Sequence, residues 1–581
     1  MEELVQERID RLVALAGKSF FGHAQSREQL HQVMAVLLLK HASDLWNKTH
    51  HMLREKFGGD EAAIAHRMKR LRFPLLREST IEYLFDHRNQ PGFVARIERA
   101  FSGLVGGANG ALDEVFKGIK FQADTSAQRN RKFKTLIADM ANPMLDLSDD
   151  THLGDAVSCL LGSFFEGLTA IGEHYTHPKV SMLLARLLEP QEGMRIYDPF
   201  FGTGSTLVEM ARYLHRQGGM RSNSISLYGQ DNSREAWTTA KLNFLLHHVD
   251  NVHIEVGDIF SNPLHLEHGT LMRFDIVAGA LPVDAEGPTA DEARRDPYRR
   301  FLRGAPPKGK AEFGFIQHAV ATLGPQGRAG LVVPQGVLFR GQHEGAIRRS
   351  LVEENLIDAV IALPQNLVYG TGVPAAIIIF SKTRKTKSVM FIDASKEQTV
   401  GRKTMEWSDA DIERIVSTYR KRERVAKYAY VSSQTQVRNN QFNLSVSRYV
   451  GGDEDELSKA IILGEDDILK LESELVQVRA ALRRELRDLL GRDGDDILSK
   501  VNEPMPQYIP KTNFVLIVVD APFMIFRLEA ALFFDRKRDA STRQSYKVSY
   551  IRKSNKDRQP FRKVVRAEKP EQISTGRKKD I

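Results

Sequence analysis

The sequence predicts an α/β protein built on a doubly wound, mainly parallel sheet, with a helical N-terminal domain and a helical C-terminal region. Between about residues 160 and 395, short continuous apolar runs alternate with amphipathic stretches of helical period. Strands that are buried on both faces and joined through helices produce this pattern. At 581 residues the chain is too long for a single core, so several domains are expected.

Residues 1–155 are predicted to form the helical N-terminal module. The stretch EQLHQVMAVLLLKHASDLW carries apolar residues at helical spacing, which indicates a buried stripe along one helix. The stripe consists of Leu30, Val33, Met34, Leu37 and Leu38. We interpret this module as a packing or docking domain, because its sequence contains no catalytic pattern.

The central domain is assigned to residues 156–400, and its apolar runs are predicted to be buried strands. These runs are MRIY (194–197), ISLYG (225–229), VHIEV (252–256), FDIVA (274–278), GLVV (330–333), IDAVIA (357–362) and AAIIIF (375–380). A sheet of this type binds ligands at the carboxyl ends of its strands, near the point where the strand order reverses. The residues that follow each strand are therefore the first place to look for a site.

The remaining chain is divided into a helical region, 401–500, and a basic extension, 501–581, of unclear structure. Apolar residues three and four apart predict a short coiled-coil arm, although a single amphipathic helix packed on its own domain explains them as well. They are Ile468, Leu471, Leu475, Val478, Leu482 and Leu489. From residue 536 onward there are 16 Lys/Arg and 5 Asp/Glu, a net charge of +11, so the other 535 residues sum to −2. Such a tail either binds phosphate nonspecifically or is a solvated terminus.

Composition excludes several classes of protein. Cys159 is the only cysteine, so an intramolecular disulfide and a thiolate zinc cluster are excluded, and no metal is expected. The sequence has no uninterrupted apolar run of about 18 residues, so no membrane partner is expected. The N-terminus, MEELVQERIDRL, is charged and helical in pattern rather than a signal peptide, and a cytoplasmic location is expected.

Three acids follow three successive predicted strands. The first strand leads into YDPFFGTGSTLVE, where Asp198 stands at the strand tip and Gly202 and Gly204 allow a tight turn before a helix. The turn lacks the Lys of a phosphate-binding loop and the G-x-G-x-x-G spacing, which disfavours a nucleoside triphosphate and a plain dinucleotide. Asp231, after the second strand, is expected to accept hydrogen bonds from both ribose hydroxyls of a nucleoside.

The third strand ends in VGDIF. There Asp258 can accept a hydrogen bond from an adenine amino group, while Ile259 packs on the purine. One acid at a strand end is more often a helix cap, but three at neighbouring strand ends predict a nucleoside pocket.

The chain at this point resembles the modification subunit of type I restriction–modification systems, an N6-adenine DNA methyltransferase that uses S-adenosylmethionine. The resemblance covers roughly residues 10–450. The stretches that carry it include GEHYTHPKVSMLLARLL, YDPFFGTGSTLVE, LYGQDNSREAWTTAKLNFLLH, VGDIFSNPLH, PPKGKAEFGFIQHAV, GRAGLVVPQGVLFRGQHEGAIRRSLVEENLIDAVIALPQNLVYGTGVPAAIIIF and VMFIDAS. It implies a Rossmann-like methyltransferase sheet with S-adenosyl-L-methionine as cofactor. Its implied partners are duplex DNA, a separate specificity subunit contacted by the helices after about 400, a second copy of the chain, and a restriction subunit or other defence proteins.

The resemblance also implies roles for individual residues. Asp198, Gly202 and Gly204 would cradle the methionine part of the cofactor, Asp231 would hold the ribose, and Asp258 the adenine. A further stretch before the first strand lines the same pocket in the family and matches Tyr175 and Thr176. The family has Thr followed directly by Pro, whereas here His177 intervenes.

The fourth strand departs from the family, which has Asn-Pro-Pro and an aromatic residue there. This chain has Ala280, Leu281, Pro282 and Val283 instead. The Asn and a following carbonyl accept the hydrogens of the adenine amine, and the ring stacks on the flipped base. Two hypotheses follow: an N6-adenine methyltransferase with another residue in place of Asn, or an inactive pseudo-methyltransferase that acts as a DNA-binding or regulatory scaffold. A small-molecule or RNA methyltransferase is disfavoured, because the resemblance extends past the core domain.

Overall fold

The computed structural model describes residues 26–451, apart from ten internal gaps. The gaps are 108–113, 117–118, 120–126, 143–144, 167–174, 219–223, 283–284, 365–367, 370–373 and 396–407. The chain divides into two units, Met1–Lys470 and Leu471–Ile581, and the second lies wholly outside the described residues. The predicted coiled-coil seam (468–489) and the basic extension (501–581) also lie outside them. Among the described helices, none is both long enough and apolar enough to cross a membrane.

Six helices form the N-terminal part of the described chain: α1 Arg27–Phe57, α2 Glu61–Met68, α3 Ile81–Asp86, α4 Phe93–Gly107, α5 Ala127–Met140 and α6 Asp150–Glu166. Helix α1 begins at Ser26, which forms a capping box with Gln29, and it ends at Gly58 in the left-handed conformation (φ 57°). The predicted apolar stripe of α1 is fully buried. Burial extends further than a stripe, since every residue from Leu30 to Ser43 is buried, with other helices packing around α1 on several sides.

A nine-stranded sheet forms the centre of the fold. Its strands are β2 Arg195–Asp198, β3 Ser226–Asp231, β4 Val252–Val256, β7 Phe274–Ala280, β8 Leu323–Pro334, β9 Ile357–Ala362, β11 Ala375–Ser381, β12 Ser388–Asp393 and β13 Ala429–Ser433. Two short pairs lie outside it, β1 Tyr175–Thr176 with β10 Val368–Tyr369, and β5 Leu266–Glu267 with β6 Thr270–Leu271. Helices accompany the sheet as α7 Pro178–Leu188, α8 Ser205–Gly218, α9 Arg234–Leu246, α10 Ala290–Arg295, α11 Glu312–Thr322, α12 Gln342–Glu353, α13 Asp409–Lys421 and α14 Gln434–Asn439.

The strand order is β13-β12-β9-β11-β8-β7-β2-β3-β4. All neighbours are parallel except β11, which is antiparallel to β8 and β9, and β13, which is antiparallel to β12. The α/β class with a mainly parallel sheet is therefore confirmed. The region after 400, predicted to be helical, contains α13 and α14 and also the edge strand β13, which at five residues is too short to show a clear period.

The order of strands reverses between β2 and β7. The chain runs from β2 outward to β3 and β4, and then returns to place β7 on the other side of β2. The crevice at the carboxyl ends of β2 and β7 is consequently the expected ligand site of this topology.

Two hydrophobic clusters cover the two faces of the sheet. One contains Ile196 and Ile276 and continues without interruption into the N-terminal helices, where it includes Leu30 and Leu37. The other contains Tyr197 and packs under α11 and α12. The proposed boundary between the modules at 155/156 stays a prediction, because the core of the N-terminal helices is continuous with one face of the sheet.

Candidate functional site

The carboxyl ends of β2 and β7 meet at Asp198. This carboxylate is buried, and it accepts a hydrogen bond from the N–H of Phe200 at 3.1 Å. It lies directly against Gly279 of β7, so that a Cβ atom on Gly279 would overlap Asp198 Oδ1 and would lie 2.8 Å from the Phe200 ring. Only glycine at this position lets the acid from one strand approach the backbone of the next.

The turn after β2 depends on two glycines in the left-handed conformation. Gly202 has φ 53° and Gly204 has φ 75°, values that strain any residue with a Cβ atom. A Cβ atom on Gly204 would also lie 2.7 Å from the ring of Phe244 in α9. The glycines therefore serve both the backbone conformation and close packing of the turn against α9.

Asp231, at the end of β3, closes this turn. Its Oδ2 accepts the N–H of Gly202 at 3.0 Å, and its Oδ1 accepts the N–H of Ser233 at 2.9 Å. Burial raises the pKa of Asp231, while the charge of Arg27 at the start of α1 opposes this rise. Burial also raises the pKa of Asp198 well above its usual value, and the nearby charge of Asp231 raises it further. The two acids are thus close enough to repel one another in one site.

The third predicted acid, Asp258, lies on the neighbouring loop. This loop is linked to the end of β3 by a 2.8 Å hydrogen bond from Gly257 N–H to the carbonyl of Asp231. The exposed Asp258 carboxylate accepts the N–H and the hydroxyl of Ser261, at 3.1 and 2.7 Å. It acts as the cap of its own turn. Ile259 is 4% exposed and belongs to the core cluster, so it has little free surface, and its contact with a purine stays a prediction.

A buried ionic network supports the loop that carries Asp258 and Ile259. The side chains of Arg300 and Asp296 form an ion pair at 2.8 Å, and each is only 2% exposed. Arg300 also donates to the carbonyl of Ile259 at 2.5 Å and to the carbonyl of the next residue at 2.7 Å. Its guanidinium lies 3.2 Å from Nδ1 of His318, whose Nε2 lies 3.3 Å from the hydroxyl of Tyr197.

Burial and the charge of Arg300 lower the pKa of His318 to about 3, so its ring is neutral at physiological pH. Since Arg300 can only donate, Nδ1 is the acceptor and Nε2–H donates to Tyr197. Sequence reasoning missed this network. The only signal for it was the Asp-x-x-x-Arg spacing in DPYRR, which is common on protein surfaces.

The predicted stretch before the first strand forms the short strand β1. Tyr175 pairs with Tyr369 and Thr176 with Val368, in antiparallel register. The side chain of Tyr175 lies outside the described atoms. His177, the departure from the family pattern, is the N-cap of α7, and its Nδ1 accepts the N–H of Lys179 at 3.1 Å. Burial lowers the pKa of His177 to about 4, which is consistent with a neutral ring in that capping role.

The residues after β7 offer little chemistry. Ala280 is the last residue of β7 and pairs with Val332 of β8. The N–H of Leu281 donates to the carbonyl of Val332 at 2.9 Å, and the Leu281 side chain is 4% exposed in the core. Pro282 is partly buried, and Val283 lies outside the described residues. From Ala280 to Pro282, therefore, no side chain supplies an amide or an aromatic ring.

Comparison with known proteins places this geometry in a family. Residues 148–457 match the family model described as N-6 DNA Methylase. The methylase subunit of the type I restriction enzyme MjaVII from Methanocaldococcus jannaschii is 31% identical over 316 residues, which cover 52% of this chain and 53% of the relative. The methylase subunit of the type I restriction enzyme MpnII from Mycoplasma pneumoniae is 27% identical over 412 residues, covering 68% of this chain and 73% of the relative. The match thus spans about half the length of the first relative.

A solved structure agrees with these relatives. The type I restriction–modification methyltransferase subunit from Streptococcus thermophilus superposes with a TM-score of 0.66 and 26% identity, covering 77% of this chain and 99% of that protein. The modification subunit of a putative type I restriction enzyme from Vibrio vulnificus YJ016, at 15% identity and a TM-score of 0.53, shares the fold, covering 75% of this chain and 93% of that protein. With the family match extending over more than half of its length, the chain belongs to the N-6 DNA methylase family, in the group formed by the methylase subunits of type I restriction–modification systems.

Proposed function

We propose that the chain is the S-adenosylmethionine- and duplex-DNA-binding methylase subunit of a type I restriction–modification-like complex, of the adenine-N6 class, and that its own methyl transfer is negligible. One observation carries the proposal. An acid pocket formed by Asp198 and Asp231 lies directly beside a strand end, Ala280–Pro282, that lacks the amide and the ring which the reaction requires.

The residues present fit the cofactor. Asp231 offers acceptor oxygens for two ribose hydroxyls, and Gly202 borders open space, since nothing lies within 4 Å of a Cβ atom placed there. Asp198 and the turn would hold the methionine end, and the Asp258 loop the adenine. When bound, S-adenosylmethionine supplies a methyl group on a positively charged sulphur atom. The chain's contribution is to orient that group toward the end of β7.

The missing side chains set the size of the catalytic loss. An adenine amine is a poor nucleophile, and an acceptor for its hydrogens stabilises the charge that develops during transfer. By analogy with one oxyanion-hole donor, losing that acceptor costs about 10²–10³ in rate. Losing the stacking ring weakens base binding by about 1–3 kcal/mol more. The carbonyl of Leu281 would remain as a single acceptor.

A second candidate function is an active methyltransferase that uses other residues of the same edge. Gln335 directly follows β8, the strand paired with β7, and is partly buried. Phe339, four residues later, is 52% exposed. These residues provide an amide and a free ring in the loop next to the altered one. Under this alternative, methyl transfer would be measurable and Gln335→Ala would abolish it.

The multisubunit partners are proposed on the relatives alone. The relatives are named as methylase subunits of type I restriction enzymes. We propose that this chain assembles with a specificity subunit, a second methylase copy, and a restriction subunit or another defence protein. The coiled-coil candidate at 468–489 is the proposed contact with the specificity subunit.

Two measurements test the function. Calorimetry with S-adenosylmethionine should show binding by the full chain, and absence of binding would refute the cofactor assignment. Transfer of labelled methyl to duplex DNA, with the full chain and its specificity subunit, should stay at background. Stoichiometric N6-methyladenine would refute the loss of catalysis, and the Gln335→Ala variant would then show which residue replaced the Asn.

A further inference from the structure

A basic segment, residues 289–311, follows the altered strand end and leads into α11. It contains 7 Lys/Arg and 3 Asp/Glu. Three of its arginines are occupied by ion pairs, Arg294 with Asp291, Arg300 with Asp296, and Arg303 with Glu354. The cations of the segment therefore form two groups, three arginines in ion pairs and four other cations.

The remainder comprises four exposed cations, Arg295, Arg299, Lys308 and Lys310. In the part of the chain that the structure describes, their side chains form no ion pair or hydrogen bond. The charge of Lys310 acts on the nearby carboxyl of Glu344, but none of the four cations forms an ion pair within the described chain, so the segment presents a net positive charge at the surface.

The segment lies at the carboxyl edge of the sheet, beside the candidate site. Arg300 binds the carbonyls of the loop after Asp258. Just beyond the segment, a Cβ atom on Gly314 in α11 would lie 3.0 Å from the ring of Phe260 in the same loop, and a Cβ atom on Gly287 would lie 3.1 Å from the backbone of Ala311, the last residue of the segment. The segment thus packs on the proposed adenine loop and begins shortly after the strand end that would face a target base.

Its backbone is held in place from within. Thr289 and Glu292 form a capping box at the start of α10, and Asp296 accepts the backbone N–H groups of Arg299 and Arg300, at 3.1 Å through its carbonyl and 2.6 Å through its carboxylate. The buried Arg300–Asp296 pair fixes the middle of the segment. A prearranged set of cations loses less conformational entropy on binding than a flexible one.

We infer that the basic segment is a phosphate-binding surface for duplex DNA, with Arg295, Arg299, Lys308 and Lys310 contacting the sugar–phosphate backbone beside the target base. The inference rests on the proposed function, because a duplex that presents a base to the end of β7 must pass this edge. The surface would position the duplex without reading its sequence, since phosphate contacts carry no base information. The alternative occupant is an acidic protein, which the test below distinguishes.

The chain offers a matched control. Lys308 and Lys310 are separated by one glycine, and Lys385 and Lys387, also exposed and without ion pairs in the described chain, are separated by one threonine. The control pair lies between β11 and β12. Because β11 runs antiparallel to β8 and β9, this loop emerges at the opposite edge of the sheet.

The experiment measures the affinity of the full chain for a duplex of unrelated sequence at 50–200 mM KCl. Each lost phosphate contact lowers the slope of log K against log salt by about 0.9. Lys308→Gln with Lys310→Gln should therefore reduce the slope by about 1.8. Between 50 and 200 mM KCl, the affinity of the native chain should then fall by a factor about 12 times larger than the affinity of the variant. Adding Arg295→Gln and Arg299→Gln should reduce the slope by about 3.6 in total. The basic tail is present in every variant, so its contribution is common to all.

Lys385→Gln with Lys387→Gln should leave the slope unchanged. Equal slopes for the two lysine pairs would overturn the inference. Binding to polyglutamate is measured in parallel as a probe for an acidic protein. If the Lys308/Lys310 variant loses polyglutamate binding but keeps its DNA binding, the surface belongs to an acidic protein and the inference is wrong. If the native chain binds no DNA but binds S-adenosylmethionine, the DNA-binding part of the proposed function and this inference both fail. If it binds DNA with unchanged slopes in all variants, only this inference fails.

Discussion

Replacing Asp231 by asparagine changes the candidate ribose site by one atom and one charge. In the structure, the two carboxylate oxygens accept the N–H groups of Gly202 and Ser233 at 3.0 and 2.9 Å. Asparagine keeps one oxygen, so one of these N–H groups would face an NH₂ group. Leaving one partly buried donor unsatisfied costs about 1–3 kcal/mol of folding stability, offset in part because a buried charge is removed.

The effect on the cofactor should be larger and more specific. A hydrogen bond to a charged acceptor contributes about 1.5–3 kcal/mol, and a ribose can donate two such bonds to Asp231. Losing the charge and one acceptor should therefore cost about 3 kcal/mol, which corresponds to roughly 100-fold weaker binding of S-adenosylmethionine. The assay is calorimetry at pH 7.5 with a parallel measurement of thermal stability.

Asp393 provides the control, because it also ends a strand and accepts the N–H of a residue two positions later, Ser395, at 3.1 Å. It lies on β12, six strand spacings from β3 in the sheet, or roughly 29 Å. Asp393→Asn should leave the affinity unchanged. If both variants bind equally well, or if Asp231→Asn binds as tightly as the native chain, the assignment of the ribose site is wrong.

The affinity should also depend on pH through the same group. Burial raises the pKa of Asp231, so its carboxylate becomes neutral at a higher pH than an ordinary Asp as the solution is acidified. S-Adenosylmethionine binding should weaken as pH falls through that raised pKa, and the Asp231→Asn variant should show a flatter profile. A native profile that stays flat to pH 4 would contradict this.

Three further predictions concern the rest of the site. Gly279→Ala should weaken S-adenosylmethionine binding at least 10-fold in calorimetry, because its methyl group would overlap the neighbouring buried carboxylate. Ala280→Asn with Val283→Phe should raise labelled-methyl transfer above background. Adding Leu281→Pro should reduce that gain, because proline cannot donate the 2.9 Å hydrogen bond to β8. Equal activity of the two variants would contradict the role of that bond. His318→Gln should make the fold less sensitive to acid. Native His318 has a pKa of about 3 in the folded protein, so the unfolded chain takes up a proton first as the pH falls. This should lower the free energy of unfolding by about 1.4 kcal/mol from pH 7.5 to pH 5.5. Urea unfolding at both pH values tests this, and an unchanged difference between them would refute it.

The strands were the part of the fold most open to prediction. The bounds of β4 and β9 match the predicted VHIEV and IDAVIA runs, in which Val and Ile recur. The prediction that these runs are buried holds for most of β9, but β4 lies at the edge of the sheet and buries only Ile254. By contrast, β8 was recognised only in its last part. Its first half, LGPQGR, contains the Gly and Pro typical of a turn. There Leu323 pairs with Phe274 of β7, the register then shifts, and regular pairing with β7 and β11 begins only at Arg328. Pairing between distant segments is not visible in a local pattern.

The residues of the site were likewise only partly predictable from the sequence. The acids and glycines at the strand tips could be predicted because topology alone brings strand ends together. Whether an acid is free or caps its own turn depends on side-chain geometry, and in the structure Asp198, Asp231 and Asp258 each accept the N–H of the residue two positions later. The Arg300–His318 network was invisible to sequence reasoning, because its members lie on separate elements and meet only when the loop after β4 packs under α11.

The proximity of Asp198 and Asp231 has a consequence for the kind of ligand that the pocket prefers. Two buried carboxylates this close do not both carry a charge at low cost, which is why burial and the charge of Asp231 raise the pKa of Asp198 well above its usual value. A cationic ligand beside them would favour the charged form of Asp198, whereas a neutral ligand would not. A pocket with this charge balance would therefore bind a sulfonium such as S-adenosylmethionine more tightly than the neutral thioether S-adenosylhomocysteine.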